Sequence, residues 1–369
     1  MSNKVIIDCD AGVDDCQALM VALSFHCKGE IDILAITCVS GNVHVTDVIK
    51  NVKRCLSIKS IEQQKQVNIP IYIGATEPLI VDVEEKIKHA KFWHGNDGIG
   101  GASFAVDQLI QRSNNDTSNT SNSSIIQSDS TPAAVKIAEL CFANPNDITI
   151  IAIGPLTNIA LSFKLYGKQL VDVVHEILFM GGTRYARGNA NLTSEFNAYA
   201  DPEALQICLQ NFSNKITMVG WDLTCKYGMP FDWVYENWFG KKKDDKINDI
   251  SICNEFLSLI SAEIVHKSRH GPWKDCGLLI PDPLAMCIAI DRSIIIESVK
   301  YFATVELNGK RTRGMVVVDY DELFSKNDED NEKEKKDNDG DSTGSFNKNL
   351  CVVTKLDMVK VQNMLASST

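Results

Sequence analysis

The chain is short of several features that would place it in a large protein class. No apolar run reaches the ~18 residues of a membrane span. Its twelve cysteines are scattered singly, with no Cys-x-x-Cys pair. Several of them (Cys38, Cys141, Cys208, Cys287) sit in apolar runs, where a thiol packs as a small hydrophobe. Reduced thiols in a cytoplasmic protein are therefore expected, not a disulfide framework. Positive charge is scarce: 37 Lys and Arg stand against 48 Asp and Glu, a net charge of -11. Nucleic acid and anionic membrane are not the partners this balance favours. A phosphate-cradling glycine loop with its lysine is missing, which argues against a nucleoside triphosphate. Neither Gly-x-Ser-x-Gly nor His-Glu-x-x-His occurs. The start, Met1-Ser2-Asn3-Lys4, leads straight into a strand pattern and leaves no room for a signal peptide.

What the chain does have is concentrated near its amino terminus. Val5-Ile6-Ile7 leads into Asp8-Cys9-Asp10-Ala11-Gly12-Val13-Asp14-Asp15, four carboxylates within eight positions. An apolar helix pattern follows through Ala18, Leu19, Val21, Ala22 and Leu23. This reads as a buried strand, a tight turn, and a helix beginning near Asp14. Capping a helix amino terminus uses one or two acids, not four. The remaining repulsion calls for a cation or for protons. Oxygen-only ligands favour a hard ion, Ca²⁺ or Mg²⁺. An EF-hand is excluded, because Leu19 stands where the loop begun by Asp8 would need Glu. Cys9 should point away from its acidic neighbours if the strand alternates, and is read as packing.

Strand and helix patterns then alternate. Strands are expected over 31–39, 69–73, 148–153, 176–180 and 215–219, and helices over 45–58 and 131–142, with Asp282 after a further apolar run at 278–280. The alternation predicts an α/β fold: an open, mainly parallel sheet with helices on both faces. With 369 residues, 44% of them hydrophobic, the chain can be one large domain spanning 1–369. The polar stretches 113–130 and 326–345 are expected to be disordered insertions. Polar clusters recur after the strands: Asp10/Asp14/Asp15, Asn42, Thr157/Asn158, and Asn189, Glu195 and Asn197 beyond Gly181-Gly182. Amide and carboxylate groups of this kind suit a polyhydroxylated ligand.

With these blocks in view, the chain resembles the nucleoside hydrolase family, the inosine-uridine type nucleoside N-ribohydrolases. The resemblance rests on Asp8 to Asp15, Ser40-Gly41-Asn42, His94-Gly95-Asn96-Asp97-Gly98-Ile99-Gly100, Gly154-Pro155-Leu156-Thr157-Asn158 and Met180-Gly181-Gly182. Gly188-Asn189, Glu195-Phe196-Asn197, Asp201-Pro202-Glu203-Ala204 and Asp282-Pro283-Leu284-Ala285 continue it in the family's order. It implies hydrolysis of the N-glycosidic bond of purine and/or pyrimidine ribonucleosides to free base and ribose, in nucleoside salvage, by a homodimer or homotetramer. It implies Ca²⁺ as cofactor, held by Asp10, Asp15, the Thr157 carbonyl and Asp282. Asp10 would be the general base toward a water on the ion. Asp14, Asn42, Asn189, Glu195, Asn197 and Asp282 would contact the substrate, with ribose hydroxyls completing the ion's oxygen shell.

Two departures stand out. Many members carry Pro where this chain has Ala11; the expectation is that the exchange only loosens the turn. One subgroup has His at the position of Pro281 and uses it as the acid for the leaving base, and another has Trp there to stack on it. Proline can do neither. His94, beside Trp93, is the candidate catalytic group for the leaving base, with His266, His270 and Trp273 as further candidates. Two other readings compete. A haloacid dehalogenase-like phosphatase would use Asp8 as nucleophile with Mg²⁺, but it leaves Asp14, Asp15 and the 189–197 cluster without a role. A nucleoside- or ribose-binding protein with weakened catalysis would fit Pro281, but not the retained Asp10.

Overall fold

The computed structural model describes residues 3–80, 90–116, 128–240, 250–325 and 346–369. The expected insertion 326–345 lies outside the described residues, as does 117–127 of the other one. The ends of 113–130 are ordered into the fold: helix α3 (Ser103–Asp116) runs into that stretch, and strand β4 (Ser128–Asp129) closes it.

The predicted parallel sheet is present. It has nine strands in the order β4-β3-β2-β1-β5-β6-β7-β11-β8. They are β1 (Asn3–Cys9), β2 (Ile31–Cys38), β3 (Ile71–Ile73), β5 (Ile148–Ala152), β6 (Glu176–Met180), β7 (Ile216–Val219), β8 (Ile295–Tyr301) and β11 (Leu350–Leu356). Every pairing is parallel except β11 with β8 at one edge. A hairpin of β9 (Ala303–Val305) and β10 (Val316–Val318) stands apart. The sequence patterns end at β7; the carboxyl-terminal strands are an addition the structure makes to them.

Alternation in β1 sorts its residues between two packed layers. Val5, Ile7 and Cys9 join a core formed with α1 (Val13–Cys27) and α2 (Val45–Glu62). Ile6 joins the other, against α4 (Ala133–Ala143) and α5 (Thr157–Tyr166). Cys9 is thus packing, as expected. Helix α1 is buried nearly all round, because almost every residue from Val13 to Phe25 is covered. A helix apolar on all faces belongs inside a protein. Fully burying β-branched residues such as Ile6 and Ile7 is worth roughly 1.5–3 kcal/mol each.

Strand order fixes where a ligand can go. From β1 the chain builds outward through β2, β3 and β4, then crosses back to place β5 on the other side of β1. The connections therefore diverge at the carboxyl ends of β1 and β5, the switch point where open α/β sheets bind ligands. Asp10 follows β1 directly, and Thr157 opens α5 after β5.

Candidate active site: a carboxylate floor under an aromatic wall

The turn after β1 is built for close approach. Asp15, in the first turn of α1, accepts hydrogen bonds from the backbone N–H of Asp10 (3.1 Å) and of Gly12 (2.8 Å). The loop after β2 brings in Asn42, whose backbone N–H donates to Asp10 Oδ2 (2.7 Å). Its side-chain amide reaches Asp10 Oδ1 and Asp15 Oδ2, both at 3.1 Å. Two glycines are required by this crowding. A Cβ on Gly12 would lie 2.4 Å from Asn42 Nδ2, and one on Gly41 2.0 Å from Asp10 Oδ2. Ala11 occupies φ +41°, in the left-handed region. Proline is locked near -65° and cannot follow. The expectation that the Ala-for-Pro exchange merely loosens the turn is therefore wrong for this chain: its turn has a shape proline forbids.

Asp10 and Asp15 are fully buried and Asp282 nearly so. Asp282 lies in the first turn of helix α11 (Pro281–Ile290), and Pro281 is its opening residue. The run 278–280 before it is not a sheet strand; Leu278 makes a single bridge to Met229 and the chain turns into α11. Carboxylate oxygens of Asp14, Asp15 and Asp282 lie within 4.8 Å of one another. Burial pushes Asp15 up to about 7, with the Asp14 charge adding to it. Burial also raises Asp10 and Asp282 well above the ordinary carboxylate range, and neighbouring carboxylates raise them further. The largest causes of these shifts are burial, neighbouring carboxylates and hydrogen bonds, with no Lys or Arg among them. The floor is an oxygen-donor set that needs a counter-charge, and a divalent cation fits it.

Asp8 is not part of this floor. It lies on the face of β1 shared with Ile6, where Thr37 Oγ1 (2.5 Å) and Asn158 Nδ2 (2.8 Å) both donate to its Oδ1. Burial lifts it to about 7. Tied to Thr37 and Asn158 in the core layer of Ile6 and apart from the carboxylate floor, Asp8 is not placed as the nucleophile that the dehalogenase-like reading requires.

Above the floor opens a cavity. It is lined by six of the expected substrate residues (Asp14, Asn42, Asn189, Glu195, Asn197 and Asp282) and by His94. Glu195 caps helix α7 (Phe196–Ala200). It accepts from the N–H groups of Gly182 (2.7 Å), Asn197 (2.8 Å) and Ala198 (3.1 Å), while burial pushes it up to about 7. The Asn197 amide is fixed by the carbonyls of Ile153 (2.9 Å) and Met180 (3.1 Å). Those are the ends of β5 and β6, so the sheet itself orients this side chain.

Thr157 turns its hydroxyl away from the cavity. It donates to Asp201 Oδ2 at 2.7 Å, and the same oxygen accepts the Leu79 N–H at 2.8 Å. Asp201 is also the amino-terminal cap of α8 (Pro202–Asn211). Sequence reasoning quoted Asp201 only as part of a block; its work is to pin the start of α5. Asn51, which no pattern marked, similarly ties the Ala11 carbonyl (3.1 Å) to that of Asp97 (2.8 Å). It thereby fastens the metal-side turn to the loop carrying His94.

The cavity's other wall is aromatic. Trp93 and Trp273 have ring centroids 5.5 Å apart, as do Trp273 and Trp221, and Pro281 closes the wall. His94 meets the floor: its Nδ1 accepts the Val13 N–H at 3.1 Å and lies 3.6 Å from Asp14 Oδ1. That bond places the imidazole proton on Nε2. His266 and His270 do not join it. They are exposed neighbours on helix α10 (Ile252–His270), and neither lines the cavity.

A parallel α/β sheet carries a buried carboxylate cluster able to hold a metal ion at its switch point, with a cavity of polar and aromatic lining above it. The chain belongs to the inosine-uridine preferring nucleoside hydrolase family, whose model matches residues 5–363. The chain is 30% identical to an inosine-uridine preferring nucleoside hydrolase of Leishmania major, over 87% of this chain and 88% of that one. It is 31% identical to one of Crithidia fasciculata, over 87% and 89%. A solved inosine-guanosine nucleoside hydrolase superposes with a TM-score of 0.76 at 25% identity, covering 100% of this chain and 98% of that one. The chain is a nucleoside hydrolase, of a family that is generally metal-dependent.

Proposed function

We propose that this enzyme hydrolyses the N-glycosidic bond of ribonucleosides such as inosine and uridine, with Ca²⁺ held by Asp10, Asp15, Asp282 and the Thr157 carbonyl. The observation that carries the reading is the buried floor itself. Three carboxyls at the sheet's switch point are raised by burial and mutual repulsion, make no salt bridge among the described residues, and lie at the base of a cavity lined by Asn and Glu. When bound, a divalent ion of this kind lowers the pKa of water and orients sugar hydroxyls.

The residues of the chain do the rest. Asp14, Asn42, Asn189, Glu195 and Asn197 grip the ribose, with donors and acceptors set against its hydroxyls. Asp10 takes one proton from the attacking water as oxygen bonds to the anomeric carbon. The carbon–nitrogen bond breaks through an oxocarbenium-like transition state, and the departing base takes its proton from solvent. His94 faces the base as a hydrogen-bond donor. Its Nδ1 is committed to Val13, so Nε2–H stabilises the leaving nitrogen electrostatically, in place of the acid that Pro281 cannot supply. The twelve unpaired cysteines support the cytoplasmic location. The homodimer or homotetramer drawn from the family resemblance would show as a twofold or fourfold mass in light scattering.

The test is a product assay on inosine, uridine and p-nitrophenyl phosphate. Free ribose from a nucleoside is expected. Phosphate release alone, or binding without turnover, would overturn the reading.

A further inference from the structure

The wall above the floor is apolar with one exception besides His94. Ser268 lies on α10 and lines the cavity together with Ile264, one helical turn earlier on the same face. His266, by contrast, falls on the solvent face. Ser268 is 7% exposed, and its hydroxyl makes no hydrogen bond among the described residues. That is unusual company for a polar group. A helical serine turned inward ordinarily bonds back to the carbonyl four residues before it or finds a buried partner. It shares the cavity lining with three indoles, Trp93, Trp221 and Trp273, whose planes are inclined at 48° (Trp93 to Trp273) and 85° (Trp221 to Trp273), so that they form an angled aromatic wall offering ring faces and edges. Such a surface takes a flat π-system and discriminates poorly among flat rings. Specificity has to come from polar atoms set into it, because a site built to hydrogen-bond a substrate group penalises analogues that lack it.

Resting on the proposed function, we infer that Ser268 is a specificity-determining residue: its hydroxyl meets the polar edge of a bicyclic purine base stacked on the tryptophan wall. The ribose end is fixed by the carboxylate and amide groups, so a base projects from a fixed origin toward α10. A two-ring base covers more of the indole wall and extends further toward Ser268 than a one-ring base does. A hydroxyl both donates and accepts, which suits a ring carbonyl with its adjacent N–H.

The experiment compares kcat/KM for inosine, uridine and p-nitrophenyl riboside in the wild-type enzyme and in Ser268→Ala, with melting temperature as a control. The alanine variant gives up no internal hydrogen bond, so an unchanged melting temperature is expected. Inosine should lose about five- to tenfold, the scale of one neutral hydrogen bond. Uridine and p-nitrophenyl riboside should change less than twofold on the same scale. Equal losses on all three substrates, or no loss on inosine, would overturn the assignment of Ser268 while leaving the hydrolase reading in place. A wild-type enzyme that releases ribose from none of them would instead overturn the hydrolase reading itself.

Discussion

The two halves of the cavity are built on opposite principles. In the floor several polar groups are held by others: Asp10 by Asn42, Asp15 by Gly12, Glu195 by three backbone N–H groups, Asn197 by the carbonyls of Ile153 and Met180. In the wall, Trp93, Trp221, Trp273 and Pro281 come from four separate segments and meet by packing. The floor's side chains are held in place before any ligand arrives. The wall offers area, and its shape can be altered by substitution without touching the reaction. A family can therefore keep its chemistry while its base preference drifts.

Substitution in the floor should abolish turnover on every substrate, whereas substitution in the wall should change which substrates are turned over. The largest effect is expected from Asp10→Asn, which keeps an oxygen toward the ion but cannot take a proton. Turnover should fall ~10²–10⁴-fold on nucleoside and p-nitrophenyl riboside alike. A residual rate within about threefold of wild type on either substrate would place the base elsewhere. Trp273→Ala comes next. Aromatic stacking on a base is worth ~1–3 kcal/mol, so kcat/KM for inosine should drop by about ten- to a hundredfold, with a smaller loss on the activated riboside. Equal losses on both would make the wall part of the floor's machinery and dissolve the distinction.

Charge also separates the halves, because the buried carboxyls gather in the floor. Asp15 and Glu195 are both pushed up to about 7 by burial. A carboxyl raised in the folded state contributes stability that is complete below its unfolded pKa of about 4 and is lost as pH rises through the folded one. Metal-free enzyme should therefore melt at a lower temperature at pH 8 than at pH 5, and added Ca²⁺ should recover more stability at pH 8. A melting temperature for the metal-free enzyme that does not fall over this range would mean these carboxyls are already charged in the fold.

Smaller effects probe the floor's supports. Thr157→Val removes the hydroxyl that Asp201 holds and leaves that buried carboxylate one donor short. A loss of about 1–3 kcal/mol in stability is expected by chemical denaturation, with a few-fold weaker cation binding. Unchanged cation affinity would show that the Thr157 carbonyl is placed by the helix alone. Smallest is Ala11→Gly, which relieves the left-handed strain at φ +41°. A gain of up to ~1 kcal/mol is expected by the same measurement, whereas Ala11→Pro should be destabilising, because proline cannot reach φ +41°.

The same contrast explains what could be read from the chain before its fold was known. The floor was legible because its chemistry demands particular residue types, and these follow strand patterns in order: Asp10, Asn42, Thr157, Glu195 and Asn197. Asp8, used only in the competing phosphatase reading, shares its parity with Asp10 but not its side of the sheet. Parity only carries meaning inside a strand, and β1 ends at Cys9. The turn then sends Asp10 into the site while Asp8 stays in the core layer of Ile6. The wall was legible only in part. Trp93 and Trp273 could be suspected from their neighbours, but nothing in the local pattern of α10 says that Ser268 faces inward and His266 outward. That orientation is set by where α10 packs against α1 and α2. Of the carboxyl-terminal strands β8 and β11, the first was missed because it lies at the open edge, is exposed along much of its length and lacks the apolar run of a central strand.

The account rests on the floor holding a cation that turnover requires. The direct measurement is calorimetric titration of chelator-treated enzyme with Ca²⁺, run beside ribose release from inosine in the same samples. One ion per chain should bind, and turnover should return in proportion to occupancy. Full turnover in the chelated enzyme, or Ca²⁺ binding that survives Asp15→Ala together with Asp282→Ala, would contradict it.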